Sequence, residues 1–382
     1  MWYLKVDTLL LMLAAAVLFA AGSVIYAHYR PGKTLTPWLI LLDLGLLIYV
    51  DWKLAVFYIA YTFFSYGLVL AIGRLRTGRK VWFVLFCLLD VAPFFYARMS
   101  GLVSWLPSLI VLVGFAYNML KAMDAVFYVY YTDEKIPFLT YANFLLFFPV
   151  LTAGPIFRYR DFLMAYCKPQ LLTVKTAEQC VKRLILGLFK KLVLAALLTK
   201  ALQRVLQMYA HFYVSGALAL LSYAILYVDL SGYSDIAIAV GSFMGIPVPE
   251  NFKKPWTAAS FTQFWRKWHV TLSDFIREHI FVVVNGKRLN RWISAGIGLL
   301  TMLVMSLWHE FSLMALCTGL YMGGLLALEN VLGLTTVDKR RTPKALYVFR
   351  CLIVLGLFSI NAMFFTMSGS QILWAIGGFF KL

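Results

Sequence analysis

The stretch SAGIGLLTMLVMSLWHEFSLMALCTGLYMGGLLAL, residues 294–328, places His309 and Glu310 between two apolar runs. A helix that spans a membrane needs roughly 20 mainly apolar residues. An ionisable side chain at that depth costs several kcal/mol unless it is paired or hydrated. The stretch therefore predicts two membrane helices, joined near a histidine that either packs against a specific partner or takes part in function.

The composition of the whole chain favours a lipid environment. Of its 382 residues, 62% are hydrophobic and 14% are charged, and the mean hydropathy is +0.80. Soluble domains rarely show such usage. The formal net charge of +18 is typical of basic loops beside an anionic cytoplasmic leaflet. We therefore expect the lipid bilayer, and not nucleic acid, as the partner of these charges.

Apolar runs recur along the chain and predict an all-α integral membrane protein with about eleven transmembrane or re-entrant helices. We expect a single multi-pass domain covering residues 1–382, whose first helix is retained and is not a cleaved signal peptide. The short runs near residues 38, 138 and 293 predict tilted, broken or re-entrant segments. The predicted helices are 9–26, 38–50, 54–72, 81–96, 102–120, 138–152, 184–206, 212–230, 293–307, 313–332 and 345–365.

Basic clusters predict which loops face the cytoplasm, because cytoplasmic loops carry an excess of Lys and Arg. The segment 231–291 is too polar to span, yet it carries tryptophans beside basic residues, which predicts a segment that lies at the lipid headgroups on the same side. The other basic clusters are 74–80, 158–162, 181–183 and 338–344.

The string FTQFWRKWHVTLSDF, residues 261–275, predicts one amphipathic helix inside this polar segment. Arg266 and Lys267 point away from its apolar face, which is directed toward lipid or protein. The residues at the spacing i, i+3, i+4 and i+7 on that face are Trp265, Trp268, His269 and Leu272.

His269 and His309 are the two sharpest candidates for chemistry. A histidine in a membrane protein acts as a general base, ligates a metal, or packs with a hydrogen bond to a backbone carbonyl, and the residues alone leave these alternatives open. The more apolar surroundings of His309 predict a neutral imidazole, the form that a base requires. On a continuous helix Glu310 projects about 100° away from His309, so it need not be its partner.

Other catalytic classes lack their sequence signatures. The chain contains no H-E-x-x-H, no C-x-x-C, no G-x-S-x-G and no phosphate-binding P-loop motif. The five scattered cysteines predict single buried thiols. We therefore expect no metal site and no bound cofactor.

The string TAGPIFRYRDF, residues 152–162, has two interpretations. Gly154 and Pro155 end an apolar run, so Arg158 and Arg160 either extend to the headgroups after a helix stop, or form a basic collar that binds an anionic donor from the cytosol.

Taken together, these motifs resemble the membrane-bound O-acyltransferase family. The resemblance is carried, in order, by FFPVLTAGPIFRYRDF, VKRLILGLFKKLVLA, YVDLSGYSDIAIAVGSFMGIPVPENFKKPW, FTQFWRKWHVTLSDFIREHIF and MSLWHE. These strings define a family-like core at about residues 138–332, and residues before 138 resemble the family only in hydropathy.

The resemblance implies helices around a central funnel or tunnel through a bacterial cytoplasmic membrane. It implies His309 as the catalytic base and His269 as a second catalytic position. The donor would be an acyl thioester, either acetyl-CoA or the phosphopantetheine arm of a carrier protein. The acceptor would be a hydroxyl of an envelope polymer or of a periplasmic or extracellular relay protein. The residues expected along the tunnel and at the donor are Arg158, Arg160, Tyr233, Ser234, Trp265, Arg266, Trp268 and Trp308.

The sequence departs from the family pattern at three places. Glu310 follows the histidine where the family carries Gly, and Leu313 stands where an aromatic residue is usual. After the W-R-x-W-H helix, an Asn285-Gly286 turn replaces the Pro-Leu-Gly-Gly of the alginate-type branch.

Two bacterial branches of the family compete. One transfers D-alanine to teichoic acids, and the chain length, the string NFKKPW and the early end after FSINAMFFTMSG favour it. The other O-acetylates exopolysaccharides, and GYSD and the short loop 285–292 favour that alternative. We favour the D-alanyl branch. Two further classes stay open: a transporter or flippase whose buried His and Arg line a path, and a catalytically inactive scaffold.

Overall fold

A computed structural model describes residues 6–30, 35–100, 114–281 and 290–381. All regular structure in these ranges is helical, which confirms the all-α prediction for the described part of the chain. Within it, six helices are long and apolar enough to cross a membrane, and two more are apolar but shorter. The six are Asp7–Tyr29, Trp52–Arg74, Arg79–Ser100, Phe212–Phe243, Leu313–Leu332 and Lys344–Thr366.

The chain divides into two compact units. The first unit comprises Met1–Ile185 and Ser234–Pro249. The start of α3 has a side-chain cap: the Asp51 side chain accepts a hydrogen bond of 2.8 Å from the Lys53 amide. The helices of this unit are α1 (Val6–Tyr29), α2 (Leu39–Val50), α3 (Trp52–Arg74), α4 (Arg79–Ser100), α5 (Phe115–Thr132), α6 (Phe138–Leu146), α7 (Tyr159–Cys167) and most of α8 (Val174–Leu188).

The second unit comprises Leu186–Tyr233 and Glu250–Leu382. Helix α10 contributes its N-terminal part to this unit and its C-terminal end to the first. The helices introduced here are α9 (Ala195–Val205), α10 (Phe212–Phe243), α11 (Phe261–Trp265), α12 (Val270–Ile276), α13 (Arg291–His309), α14 (Leu313–Leu332), α15 (Lys344–Thr366) and α16 (Gly369–Gly378).

Helices α13 and α14 form the tightest hairpin of the second unit, because two glycines remove side chains from their contact. A Cβ atom at Gly323 would lie 2.7 Å from Leu299 Cδ1 and 3.0 Å from its Cα. A Cβ atom at Gly319 would lie 2.9 Å from Leu303 Cα. The two backbones thus approach more closely than any larger residue allows. The helix that ends at His309 is therefore fixed against α14.

The predicted helix 102–120 ends too early in the part that the structure describes. Residues 102–113 lie outside the described residues, and the observed helix α5 begins after Gly114 and continues through Lys121 to Thr132. Hydropathy ends the run at Lys121 because it counts a lysine as exposed. The structure buries this side chain, whose Nζ donates a hydrogen bond of 2.8 Å to the Leu145 carbonyl.

The predicted helix 212–230 also ends too early. The residues after 230 were predicted to be too polar to span a membrane, but their charges have partners. Helix α10 continues to Phe243. In the second unit Asp229 pairs with Lys191, and in the first unit Asp235 pairs with Arg183 at 3.0 Å. Charges that have such partners can stay within a helix between apolar runs.

Two further predicted helices differ from the observed ones in their bounds and contain a non-α turn. The predicted run 184–206 begins earlier, at Val174, and contains a π-helical turn, Phe189–Leu194, between α8 and α9. The predicted run 138–152 ends as α6 at Leu146 and continues only as a short 3₁₀ turn, Phe148–Val150. Such π-helical turns inside α-helices are frequent at functional sites.

Candidate functional site

His309 is the last residue of α13. The helix begins at Asn290, whose side chain accepts a hydrogen bond from the Trp292 amide, and Glu310 leaves it in an extended conformation, with φ −156° and ψ 136°. Glu310 therefore lies outside the helix, and helical geometry does not set its angle to His309. The His309 side chain is exposed, and its ring lies edge-on to Phe365 with 6.4 Å between the centroids.

His269 lies at a reversal of the chain and not on one continuous helix. Helix α11 ends at Trp265, and His269 has a left-handed backbone with φ 46° before α12 begins at Val270. Backbone hydrogen bonds of 2.9 Å hold the reversal, from the Lys253 amide to the Lys267 carbonyl and from the Val270 amide to the Asn251 carbonyl. The predicted helix 261–275 is thus wrong, because pairing with residues 251–253 replaces one helical turn.

The sequence predicted the more apolar surroundings for His309, but the structure buries His269 and exposes His309. His269 is only 6% exposed, whereas His309 is exposed. Burial, and then the nearby charge that His309 would carry, lower the pKa of His269 from 6.5 to about 3. His269 is therefore a neutral imidazole, and its Nδ1 atom has no hydrogen-bond partner among the described residues.

This arrangement brings together two residues that are 40 positions apart in the sequence. A charge on His309 would disfavour protonation of His269, which stays neutral near neutral pH. The exposed ring of His309 is accessible to an incoming hydroxyl, while the buried ring of His269 is not. The geometry suits a base at His309 with a neutral neighbour.

The two tryptophans of the W-R-x-W-H string belong to an aromatic core in the second unit. Trp268 is 4% exposed. It stacks on Phe264 with 5.5 Å between the ring centroids and lies edge-on to Phe252 at 5.1 Å. This tryptophan packs within the protein, so the expectation of a headgroup position is wrong for it.

Trp265 and Arg266 occupy the edge of this core. Trp265 is half-buried, lies edge-on to Phe358 at 6.0 Å between centroids, and its buried indole N–H has no acceptor among the described residues. Buried tryptophan N–H groups usually find a partner. The Arg266 side chain is exposed. The backbone of Trp308 lies in α13, but its side chain is outside the described residues.

Tyr233 and Ser234, of the GYSD string, are both buried, at 5% and 3% exposure. In the second unit, the Lys191 ammonium lies 3.9 Å from the centroid of the Tyr233 ring and pairs with Asp229. This lysine–aspartate pair was not among the predicted site residues. Its signal was a charged residue of each sign inside an apolar run.

Arg158 and Arg160 belong to the first unit. The backbone is extended at Arg158, just before α7, and its side chain is half-buried, whereas the Arg160 side chain is exposed on the first turn of that helix. The Asp124 carboxylate accepts a hydrogen bond of 2.6 Å from the Tyr159 amide between them. The apolar run therefore ends in an anchored loop that leads to a further helix, which the helix-stop interpretation did not include.

The described residues contain no group of three His, Cys, Asp or Glu side chains placed to hold a metal ion. Cys180 is buried, but Cys167 and Cys317 are exposed. The expectation of buried thiols is therefore wrong for these two, whose helices leave one face uncovered.

Comparison with known families places most of the chain in one group. Residues 39–370 match the profile of the membrane-bound O-acyltransferase family. The match includes both histidines, the aromatic core, the GYSD string and the α13–α14 hairpin. It extends beyond residues 138–332 in both directions.

Three individual relatives have names that describe acyl transfer to three different polymers. A probable alginate O-acetylase from Pseudomonas fluorescens is 30% identical over 328 residues, covering 83% of this chain and 66% of that protein. A teichoic acid D-alanyltransferase from Streptococcus thermophilus is 28% identical over 301 residues, 73% of this chain and 69% of that protein. A peptidoglycan O-acetyltransferase from Helicobacter pylori is 33% identical over 187 residues, 45% of this chain and 33% of that protein.

The chain spans less than two thirds of several of these relatives. For three of the alginate O-acetylases the aligned part covers 66%, 51% and 65% of their length.

Proposed function

Because the chain belongs to the membrane-bound O-acyltransferase family, we propose that it transfers an acyl group from a thioester donor to a hydroxyl of a cell-envelope polymer. The family match and the six apolar helices make it a multi-pass membrane protein. The observation that carries the proposal is the position of the exposed His309 at the end of α13, beside the buried His269 at the chain reversal. All three relatives named above modify envelope polymers by their printed names.

In the proposed reaction, His309 accepts the proton of the acceptor hydroxyl while the hydroxyl oxygen attacks the thioester carbonyl. The resulting tetrahedral oxyanion expels the thiolate, which takes the proton from the imidazolium. An ester and a free thiol are the products. His269 stays neutral throughout. A tunnel that excludes bulk water would protect the thioester from hydrolysis.

The remaining candidate residues are assigned to binding. Phosphates occur in both acetyl-CoA and phosphopantetheine, and exposed guanidinium groups bind phosphate well. In the first unit we assign this role to Arg160, which is exposed, and to the half-buried Arg158. In the second unit the exposed Arg266 is assigned phosphate binding by itself. Trp265 and Trp268 would form the apolar wall. Tyr233 would support that wall from the part of α10 that belongs to the second unit.

The share of the chain that aligns favours O-acetylation of a polysaccharide as the specific reaction. Alignment with a probable alginate O-acetylase covers 83% of the chain, against 73% for a teichoic acid D-alanyltransferase. The donor would then be acetyl-CoA or an acetylated carrier on the cytosolic side. The acceptor would be a polymer or a relay protein on the other side of a bacterial cytoplasmic membrane.

D-alanyl transfer to teichoic acid is the second candidate. The alignment with the D-alanyltransferase covers 69% of that protein, slightly more than the 66% of the O-acetylase, and the NFKKPW string favours it on sequence grounds. The donor would be D-alanyl phosphopantetheine on a carrier protein. Supplying each labelled donor separately distinguishes the two.

The test is transfer of a labelled acyl group to a polyol polymer by the purified protein in lipid nanodiscs. We expect His309→Gln to lose at least about 100-fold in kcat, because removing a general base typically costs 10²–10⁴-fold. His28→Gln is a matched control, since His28 is also an exposed histidine in the last turn of an apolar helix. It should keep wild-type activity.

Two outcomes would contradict the proposal. Transfer by His309→Gln at the wild-type rate would remove His309 from the reaction. Movement of a polymer or lipid substrate across liposomes without any thioester, unaffected by His309→Gln, would support the transporter class instead.

A further inference from the structure

Glu329 is a buried acid at the C-terminal end of α14, at 8% exposure. Its carboxylate accepts three hydrogen bonds, all from the start of α11. The Phe261 amide donates to Oε1 at 2.7 Å, and the Thr262 amide and hydroxyl donate to Oε2 at 2.8 and 2.7 Å. Both carboxylate oxygens are therefore committed to one helix end. Hydrogen bonds to a charged acceptor are stronger than neutral ones, and this geometry makes the contact specific.

Helix α11 is short, so its position depends on such contacts. It comprises five residues, too few to be stable alone. Ser260 caps it by accepting a hydrogen bond from the Gln263 amide at 3.1 Å and donates to the Thr335 carbonyl at 2.7 Å. The Gln263 side chain donates to the Val337 carbonyl at 2.8 Å. The whole N-terminal end of α11 is thus attached to the end of α14 and to the residues that follow it.

The C-terminal end of α11 leads within four residues to His269. Since the chain reverses there with a left-handed backbone, a rotation of α11 would displace the imidazole directly. The helix that carries Glu329 is also fixed relative to His309. Helix α14 packs on α13 through Gly319 and Gly323, and α13 ends at His309.

We propose that Glu329 is a positioning residue that fixes the His269 segment against the helical hairpin carrying His309, through its bidentate contact with the start of α11. It does not touch the reacting atoms. The inference deepens the proposed acyl transfer, because it names the residue that keeps the two histidines at their working separation. The contact itself is independent of which acyl group is transferred.

A carboxylate fits this position because it only accepts hydrogen bonds. The Glu329→Gln substitution keeps the size of the side chain, but one oxygen becomes an NH₂ group that faces N–H and O–H donors. Thr262→Val removes the hydroxyl donor and keeps the amide. Glu178→Gln is the matched control, because Glu178 is an exposed acid that pairs with Lys182 on its own helix.

The test is titration of the His269 ring by NMR in the full-length protein, with the signal assigned from His269→Asn. The charged neighbour that acts on this ring is His309. In the wild type we expect a pKa near 3. In Glu329→Gln we expect a clear rise toward 6.5, because the released segment admits water and moves away from His309. The His269 ring of Glu178→Gln should titrate like that of the wild type.

The activity assay adds a second measurement. We expect Glu329→Gln to lower kcat by about 10- to 100-fold, as a displacement of about 1 Å can, with KM for the donor within about twofold. Thr262→Val should give a smaller loss, and the double variant should lose less than the sum of the two in free energy, because both act on one contact.

An unchanged His269 titration in folded Glu329→Gln and Thr262→Val would overturn the positioning role. The titration needs no acyl transfer, so this failure can be told apart from failure of the proposed function. If only the proposed function fails, the pKa of His269 would still rise in Glu329→Gln, but neither the wild type nor any variant would transfer an acyl group. If Glu329→Gln does not fold, Thr262→Val alone decides, since a wild-type titration in that variant contradicts the inference.

Discussion

At the scale of single residues, the site combines one exposed and one buried imidazole. Resemblance to a family singled out His309 and His269 among five histidines, and their catalytic roles stay a prediction. It was not sufficient to predict which one is buried, because exposure depends on where α13 ends and on the chain reversal at residue 269. Glu329, a single acid near the end of an apolar run, gave no sequence signal for its contacts with a helix 67 residues away.

The buried neutral His269 should make the protein sensitive to acid. Above about pH 6.5 the residue is neutral in the folded and unfolded states and contributes nothing to pH dependence. As the pH falls from 6.5 to about 3, the unfolded chain binds a proton that the folded protein excludes, so stability decreases across this window. We expect His269→Asn to flatten that decrease, measured as thermal unfolding in detergent between pH 7 and pH 4. The same slope in His269→Asn and His28→Asn would contradict the assignment.

At the scale of helices, apolar runs located most elements but not their ends. Hydropathy ended the predicted helices at Lys121 and near Asp229, where the observed α5 and α10 continue. In each case the charge has a partner from another helix, and no local pattern reveals that partner. The break between α11 and α12 was missed for the converse reason. The helical spacing of its apolar residues is real, but hydrogen bonds to residues 251–253 stabilise a reversal.

The close approach of α13 and α14 gives a prediction at this scale. Gly323→Ala places a Cβ atom 2.7 Å from Leu299, so we expect a loss of about 1–3 kcal/mol in stability from overpacking. Gly324→Ala is the neighbouring control, because nothing lies within 4 Å of its added Cβ. It should be neutral or stabilising by about 0.5–1 kcal/mol. Thermal unfolding of both variants in detergent measures the difference, and equal stabilities would refute the packing argument.

At the scale of the whole molecule, composition alone was sufficient to predict a helical membrane protein, and the ordered strings predicted its family. The number of spanning helices was harder to predict. Six of the described helices meet the length and apolarity required, whereas short apolar runs such as 138–146 form helices that cannot cross a bilayer upright. Length separates spanning helices from short apolar helices only when the ends of each helix are known.

The basic loops predict the orientation of the chain in the membrane. Because residues 338–344 are rich in Lys and Arg, we expect Lys339→Cys, in a variant without native cysteines, to react with an impermeant maleimide only in inside-out vesicles. Ser370→Cys is the counterpart, since α15, Lys344–Thr366, is long enough to span. It should react only in right-side-out vesicles. Labelling of both positions from one side would show that α15 does not cross.

The backbone at His269 limits how its side chain can be studied. With φ 46° and ψ 52°, this position favours Gly, Asn and Asp over other residues. An alanine scan would therefore mix two effects at this one position, loss of the imidazole and strain in the reversal, and would overstate the chemical role of the ring. Asparagine separates them, because it tolerates the left-handed conformation. By the same reasoning, relatives that dispense with the histidine here should carry Asn or Gly more often than a β-branched residue.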